Sequence, residues 1–156
     1  MKLPPAEAVS HMLTDLLGRA CIARSTAKPG FADQGIIGVL VNRAGETKAL
    51  TFSDRSFVSL TGAALALIPR TVAEEAVKKG VIPPSILENH QEIINIATTL
   101  FNAIHSDAEH LKLGPTVATG PACPQALRTF LVKPAARLDL EVEITGYGTG
   151  KLSLLV

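Results

Sequence analysis

Hydrophobic residues recur at helical spacing near the start of the chain. The apolar positions follow the i, i+3, i+4, i+7, i+8 spacing of one helix face, namely Val9, Met12, Leu13, Leu16 and Leu17. The segment follows Pro4-Pro5 and is followed by Gly18, and these residue types are common at helix boundaries. The pattern predicts an amphipathic helix between Pro5 and Gly18.

Strand patterns follow this first helix. The segment ACIARS, residues 20–25, predicts a short strand. The longer segment GIIGVLVNRAGETKALTFS, residues 35–53, predicts two strands joined by a turn at residues 42–46, where Gly45 is suited to a positive φ. We therefore expect a β-hairpin here.

Helical segments occupy the middle of the chain. DRSFVSLTGAALALIP, residues 54–69, has helical propensity and ends at a proline. Thr71-x-x-Glu74 has the form of a capping box and would open a short helix that Gly80 closes. A second box, Ser85-x-x-Glu88, would open the longest helix, over roughly residues 85–105.

The remainder of the chain repeats the order of the first part. HLKLGPTVATGP, residues 110–121, is strand-like, CPQALRTFL, residues 123–131, is helical, and residues 136–156 alternate as two strands around a glycine-rich turn. Halves 1–80 and 81–156 both give helix, strand and strand hairpin, which indicates a divergent internal duplication. The pattern predicts one α+β domain with a central antiparallel sheet and two long helices on one face.

Composition narrows the functional classes. The 156 residues are 47% hydrophobic and 19% charged, which is typical of a folded globule. The net charge is +1, the basic residues are scattered and Trp is absent, so we expect no nucleic-acid partner. Cys21 and Cys123 lie in apolar contexts and are expected to be buried thiols.

The apolar stretches are short. The N-terminal residues MKLPPAEAV lack the apolar region of a signal peptide, and the longest apolar run, residues 63–69, is too short to cross a bilayer. We expect a cytoplasmic protein with no membrane partner.

Polar residues gather on one side of the longest predicted helix. At 100° per residue they fall within an arc of about 80°, and they are Glu88, Glu92, Asn95, Thr99 and Asn102. Lys and Arg, which usually accompany Glu on solvated helices, are absent from residues 80–111. An ordinary solvated surface is one interpretation of this stripe, and a site built on Glu92 and Asn95 is the other.

The spacing of this stripe resembles the signature helix of the CheC/CheX/FliY family of chemotaxis phosphatases. Glu92 matches the family Glu, Asn95 the family Asn, and Pro115 a proline that follows the helix. Glu88 stands where Asp or Ser is usual, and Ala97 stands near the place of a common glycine. No second Glu-x-x-Asn occurs in the first predicted helix, so the chain is most similar to the CheX-like branch, which also has a similar length.

This resemblance implies a function. The substrate would be the phospho-aspartate of a CheY-like response regulator, which brings its own Mg²⁺, so this chain would need no cofactor and no metal site. Asn95 would orient the attacking water and Glu92 would bind the regulator's active-site lysine, with Glu88, Thr99 and Asn102 as further partner contacts. The branch also implies a homodimer.

Two other functions remain open. The protein could be a non-catalytic module of the same fold that binds a regulator, in signalling other than chemotaxis. It could also be an assembly protein whose last strands, around the apolar KLSLLV, pair edge to edge in a dimer.

Other chemical motifs in the sequence are weaker. His90, His105 and His110 lack metal-ligand spacing and are expected at the surface or in loops. GYGTGK, residues 146–151, is expected to form a hairpin turn, because no helix follows it.

Overall fold

The computed structural model of the chain describes residues 1–27 and 34–156. In this part of the chain the helices are α1 (Ala6–Leu17), α2 (Arg55–Leu65), α3 (Arg70–Lys79), α4 (Pro84–Asn102) and α5 (Gln125–Val132). The strands are β1 (Cys21–Ser25), β2 (Gly35–Val41), β3 (Thr47–Asp54), β4 (Lys112–Ala118), β5 (Arg137–Ile144) and β6 (Gly148–Leu155). The predicted α+β class is confirmed.

The strands form one antiparallel sheet in the order β1-β5-β6-β3-β2-β4. Both predicted hairpins are present, with positive φ at Gly45 and Gly146 in their turns. Exchanging β1, β2 and β3 with β4, β5 and β6 gives the same order in reverse. Each half therefore gives its single strand to the hairpin of the other half, as an internal duplication would produce, although the duplication itself stays a prediction.

Matching hydrogen bonds tie α1 and α4 to their neighbouring strands. Thr14 Oγ1 accepts a hydrogen bond from the amide of Cys21 at 3.0 Å and donates to its carbonyl at 3.2 Å. In the second half, Asn102 accepts from the amide of Leu111 at 2.8 Å and donates to its carbonyl at 2.9 Å. These pairs give a common register in which Thr14 of α1 corresponds to Asn102 of α4.

The helices form layers on the two faces of the sheet. α1, α2 and α4 cover one face, and their apolar sides meet the sheet in a core that includes Leu13, Phe57, Ile93 and Phe101. α5 covers part of the other face, where Leu131 packs in a second cluster of buried side chains. The two long helices, α1 and α4, therefore share one face, as predicted.

Two details of the helix starts differ from the prediction. α3 and α4 begin after Pro69 and Pro83, and neither cap makes a side-chain hydrogen bond. The predicted capping boxes are therefore wrong, because proline occupies the position that Thr71 or Ser85 would need to fill. Glu88 consequently has no capping role.

The proposed edge pairing of the last strands is also wrong. β6 lies between β5 and β3, so both of its edges are already hydrogen-bonded. Leu154 and Leu155 are fully buried in the two cores. The edges of the sheet are β1 and β4, and Pro115 lies on β4, where a missing amide is tolerated.

Cys21 and Cys123 are free and buried, as predicted. Within the described residues, no helix combines the length and the hydropathy needed to span a bilayer.

Candidate functional site on the fourth helix

α4 places the predicted polar stripe on its outer side. Its inner side is buried against α2 and the sheet through Ile86, Ile93, Ile94, Ala97 and Phe101. Four members of the polar stripe are exposed on the opposite side, namely Glu88, Glu92, Asn95 and Thr99. The helix therefore separates an apolar side from a polar side, as its periodicity predicts.

Glu92 and Asn95 lie one helical turn apart and are both exposed. Side chains at this spacing have Cβ atoms about 5–6 Å apart. Neither side chain makes a hydrogen bond or ion pair with another of the residues that the structure describes. A carboxylate and a carboxamide thus stand together, accessible to another molecule and uncommitted to contacts within the described chain.

Hydroxyl groups beside Asn95 are committed to the helix itself. Thr98 donates a hydrogen bond to the carbonyl of Asn95, and Thr99 donates to that of Ile96, both at 2.6 Å. The exposed Thr99 therefore presents its methyl group and an oxygen whose proton is already in use.

Asn102 has a different environment from the rest of the stripe. It is half-buried, and its amide bonds to both backbone groups of Leu111. These bonds favour a structural role at the end of α4, and Asn102 has no part in the site that we propose below.

Two glycines let α4 pack close to its neighbours. A Cβ atom at Gly62 of α2 would lie 2.3 Å from the carbonyl oxygen of Ile86. A Cβ atom at Gly38 of β2 would lie 2.8 Å from Cγ2 of Ile94. Because α4 is seated this tightly on both sides of Glu92, the helix is a rigid support for the exposed pair.

α1 and α4 carry no Lys or Arg on this side of the protein. α1 lies on the same face of the sheet as α4 and exposes Glu7, His11 and Asp15. Neither helix contains Lys or Arg. A cationic group of a partner protein would therefore meet no repulsion from the side chains of α1 and α4.

α1 does not carry a second copy of the pair. In the register set by Thr14 and Asn102, Glu7 corresponds to Asn95 and Pro4 to Glu92. Pro4 is buried and precedes α1, which begins at Ala6. At these two positions the chain therefore lacks both the residue types and the helical turn on which a second site would have to stand.

Ala97, which stands near the place of a family glycine, faces the core and is 4% exposed. It lies on the opposite side of α4 from Asn95. The difference from the family pattern thus affects packing under the helix and leaves the outer surface unchanged.

His90 differs from its prediction as a surface or loop residue. It is fully buried between α2 and α4, and its ring meets that of Phe57 edge to face at a centroid distance of 5.8 Å. Burial lowers the pKa of His90 to about 3. Across the described ranges, no three His, Cys, Asp or Glu side chains are grouped to hold a metal ion.

This arrangement of strands and helices is the fold shared by the chemotaxis proteins CheX and FliY and by the middle domain of the flagellar protein FliM. No protein-family model matches the chain, and no curated protein matches it significantly in sequence. The likeness is therefore one of structure.

Three crystal structures illustrate the likeness. The FliM middle domain of Vibrio alginolyticus has a TM-score of 0.61 at 11% identity, over 97% of this chain and 87% of that one. The CheX of Borrelia burgdorferi, in complex with CheY, BeF3 and Mg²⁺, has a TM-score of 0.56 at 13% identity, over 96% and 92%. The FliY of Thermotoga maritima has a TM-score of 0.53 at 13% identity, over 95% and 81%. These values support the fold and do not distinguish the CheX branch from FliY or FliM.

Proposed function

We propose that this protein is a phosphatase that removes the phosphoryl group from the aspartate of a CheY-like response regulator. The observation that carries the proposal is the exposed, uncommitted pair Glu92 and Asn95 on the rigid outer side of α4. The CheX of Borrelia burgdorferi, which has the same fold, forms a complex with CheY. That complex supports a regulator as the partner of this chain.

Asn95 is the residue proposed to act on the reaction. A phospho-aspartate is an acyl phosphate, so its carboxylate is a good leaving group and the attacking water mainly needs to be held in line. The amide of Asn95 both donates and accepts hydrogen bonds and has no charge that would repel the phosphoryl oxygens. The chain supplies no nucleophile of its own in this mechanism.

Glu92 is proposed to fix the docking position. Its carboxylate, one turn from Asn95, pairs with the lysine in the regulator's active site. Mg²⁺ comes with the regulator and neutralises charge on the phosphoryl oxygens. Glu92 is therefore proposed to bind the regulator and Asn95 to position the water, whereas the regulator supplies the Mg²⁺ and the leaving group.

Positioning is sufficient for a useful rate. A hundredfold acceleration corresponds to about 2.7 kcal/mol off the barrier, well below the contribution of about 7–11 kcal/mol that orientation can make.

The test uses a CheY-like regulator from the same genome, phosphorylated by a small phosphodonor in Mg²⁺. Adding the protein should shorten the lifetime of the phosphoryl group, and Asn95→Ala should return it to that of the regulator alone. Gln91→Ala removes an exposed amide of the same helix that has no role in the predicted site, so it is the matched control and should retain the activity. A protein with no effect on the lifetime would refute the phosphatase proposal, and an Asn95→Ala variant as active as the original would refute the role of Asn95.

A second candidate is a binding module of the same fold without turnover. The FliM middle domain of Vibrio alginolyticus has a higher TM-score with this chain than CheX has, 0.61 against 0.56. The FliM of Helicobacter pylori, in a structure of its complex with FliG, has a TM-score of 0.54. Glu88, where the family pattern has Asp or Ser, also favours this candidate. The same assay separates the two functions, because a binding module would bind the phosphorylated regulator and leave its lifetime unchanged.

Dimer formation is a further part of the proposal, because it is implied only by the resemblance to the CheX branch. Light scattering should give twice the chain mass of 16.4 kDa. The mass of a single chain at micromolar concentration would refute the proposed dimer.

A further inference from the structure

Asn89 connects α4, the helix that carries the candidate site, to the C-terminal end of α2. Gly62 lies in the last turn of α2, which ends at Leu65. The side-chain amide of Asn89 donates a hydrogen bond to the carbonyl of Gly62 at 2.9 Å. A side chain of α4 is thus bonded to the backbone of α2 near its C-terminus.

The contact lies where the two helices pack closely. Gly62 also faces the carbonyl of Ile86, which a Cβ atom would approach to 2.3 Å. Ile86 and Asn89 are one turn apart on α4, so the helix is held to one residue of α2 by a close packing contact and by a directional hydrogen bond. Two such contacts on one side of a helix restrict its rotation about its own axis.

The rotation of α4 sets the direction of Glu92 and Asn95. A side chain at about 6 Å from a helix axis moves by about 1 Å when the helix rotates by about 10°. A misplacement of about 1 Å can reduce a rate about a hundredfold when the reaction depends on orientation. Water alignment by a short amide is more sensitive to such a shift than an ion pair made by the longer, flexible Glu92.

We infer that Asn89 is a positioning residue, which fixes the rotation of α4 and thereby aims Asn95 at the reacting centre. This inference rests on the proposed phosphatase function. Asn89 lies outside the polar stripe, at the border between the polar and apolar sides of α4. Asn89 is identified by its polar side chain at that border, which faces the end of α2.

The test compares Asn89→Ala and Asn89→Asp with Tyr147→Phe. Aspartate keeps the size of asparagine and removes the donor. Tyr147 is a matched control, because its hydroxyl donates a hydrogen bond to the carbonyl of Ile68 at 2.6 Å, just beyond the same end of α2. Tyr147 is not part of α4. Both Asn89 variants should lower kcat for phosphate release about tenfold or more and leave KM within about twofold. Tyr147→Phe should lose stability and keep kcat.

A second measurement does not require activity. Residual dipolar couplings of backbone amides report the orientation of α4 relative to the sheet, and they should change in Asn89→Ala and stay the same in Tyr147→Phe. Couplings that are unchanged in Asn89→Ala, or a kcat equal to that of the original protein, would overturn the inference. If the original protein has no phosphatase activity, the proposed function fails. The couplings still test the orienting role of Asn89 separately, and unchanged couplings would refute it.

Discussion

His90 makes the stability of the protein sensitive to acid in a way that can be calculated. The ring is fully buried, and its Nε2 atom has no hydrogen-bond partner in the described part of the chain. Nδ1 lies 3.5 Å from Thr61 Oγ1, which donates its own proton to the carbonyl of Phe57. Thr61 can therefore only accept from His90, which favours a neutral ring with its proton on Nδ1.

The direction of the effect follows from the shifted pKa. Burial lowers the pKa of folded His90 to about 3, whereas an unfolded histidine has a pKa of about 6.5. Between these values the unfolded chain binds a proton and the folded chain does not, so stability is complete above about pH 6.5 and falls as the pH decreases towards 3. At about pH 4.5, two units below the unfolded pKa, the loss is about 3 kcal/mol.

Urea unfolding of the original protein and of His90→Leu between about pH 7.5 and pH 4.5 measures this loss. Leucine fills a similar volume without a titrating group, and the carboxylates contribute equally to both proteins, so their effect cancels in the difference. The variant should gain about 3 kcal/mol relative to the original protein over this range. A difference that is independent of pH would refute the argument that His90 is buried in its neutral form.

Three further outcomes test separate parts of the structure. Asn102→Ala removes both hydrogen bonds to Leu111 and should lower the free energy of unfolding by about 2 kcal/mol. The affinity for a regulator, measured by fluorescence anisotropy, should not change. A weaker affinity would show instead that Asn102 contacts the partner. Gly62→Ala should lower the free energy of unfolding by about 1–3 kcal/mol in urea, because the added Cβ meets Ile86, and unchanged stability would show that α2 and α4 separate easily. Regulator affinity should fall as the salt concentration rises from about 0.05 M to about 0.5 M, because salt screens an exposed ion pair. Glu92→Gln should remove most of this salt dependence. An equal salt dependence in the variant would contradict the role of Glu92.

Local patterns predicted the elements of this fold because each depends on neighbours in sequence. The apolar spacing in residues 9–17 identified α1, and Gly45 identified the turn of the first hairpin. The strand order could not be predicted in the same way. β1 pairs with β5, more than a hundred residues later, and such pairing leaves no local pattern. The central place of β6 was missed for this reason.

The candidate site was predictable to a similar extent. Helical periodicity placed Glu92 and Asn95 on the exposed side, since the inner side of α4 is strongly apolar. Asn102 falls within the same arc, but the chain after α4 returns over it and brings Leu111 to its amide. His90 was misplaced because only its metal-ligand spacing was considered, although at 100° per residue it falls on the apolar side of α4 with Ile86 and Phe101. A helical projection cannot show what the rest of the chain packs against each side.

The central claim is that Asn95 acts on the reaction and Glu92 on binding. The most direct measurement follows, in the same samples, the affinity for the phosphorylated regulator and the lifetime of its phosphoryl group at saturating Asn95→Ala. We expect unchanged affinity together with the lifetime of the regulator alone. Acceleration by Asn95→Ala equal to that of the original protein would contradict it.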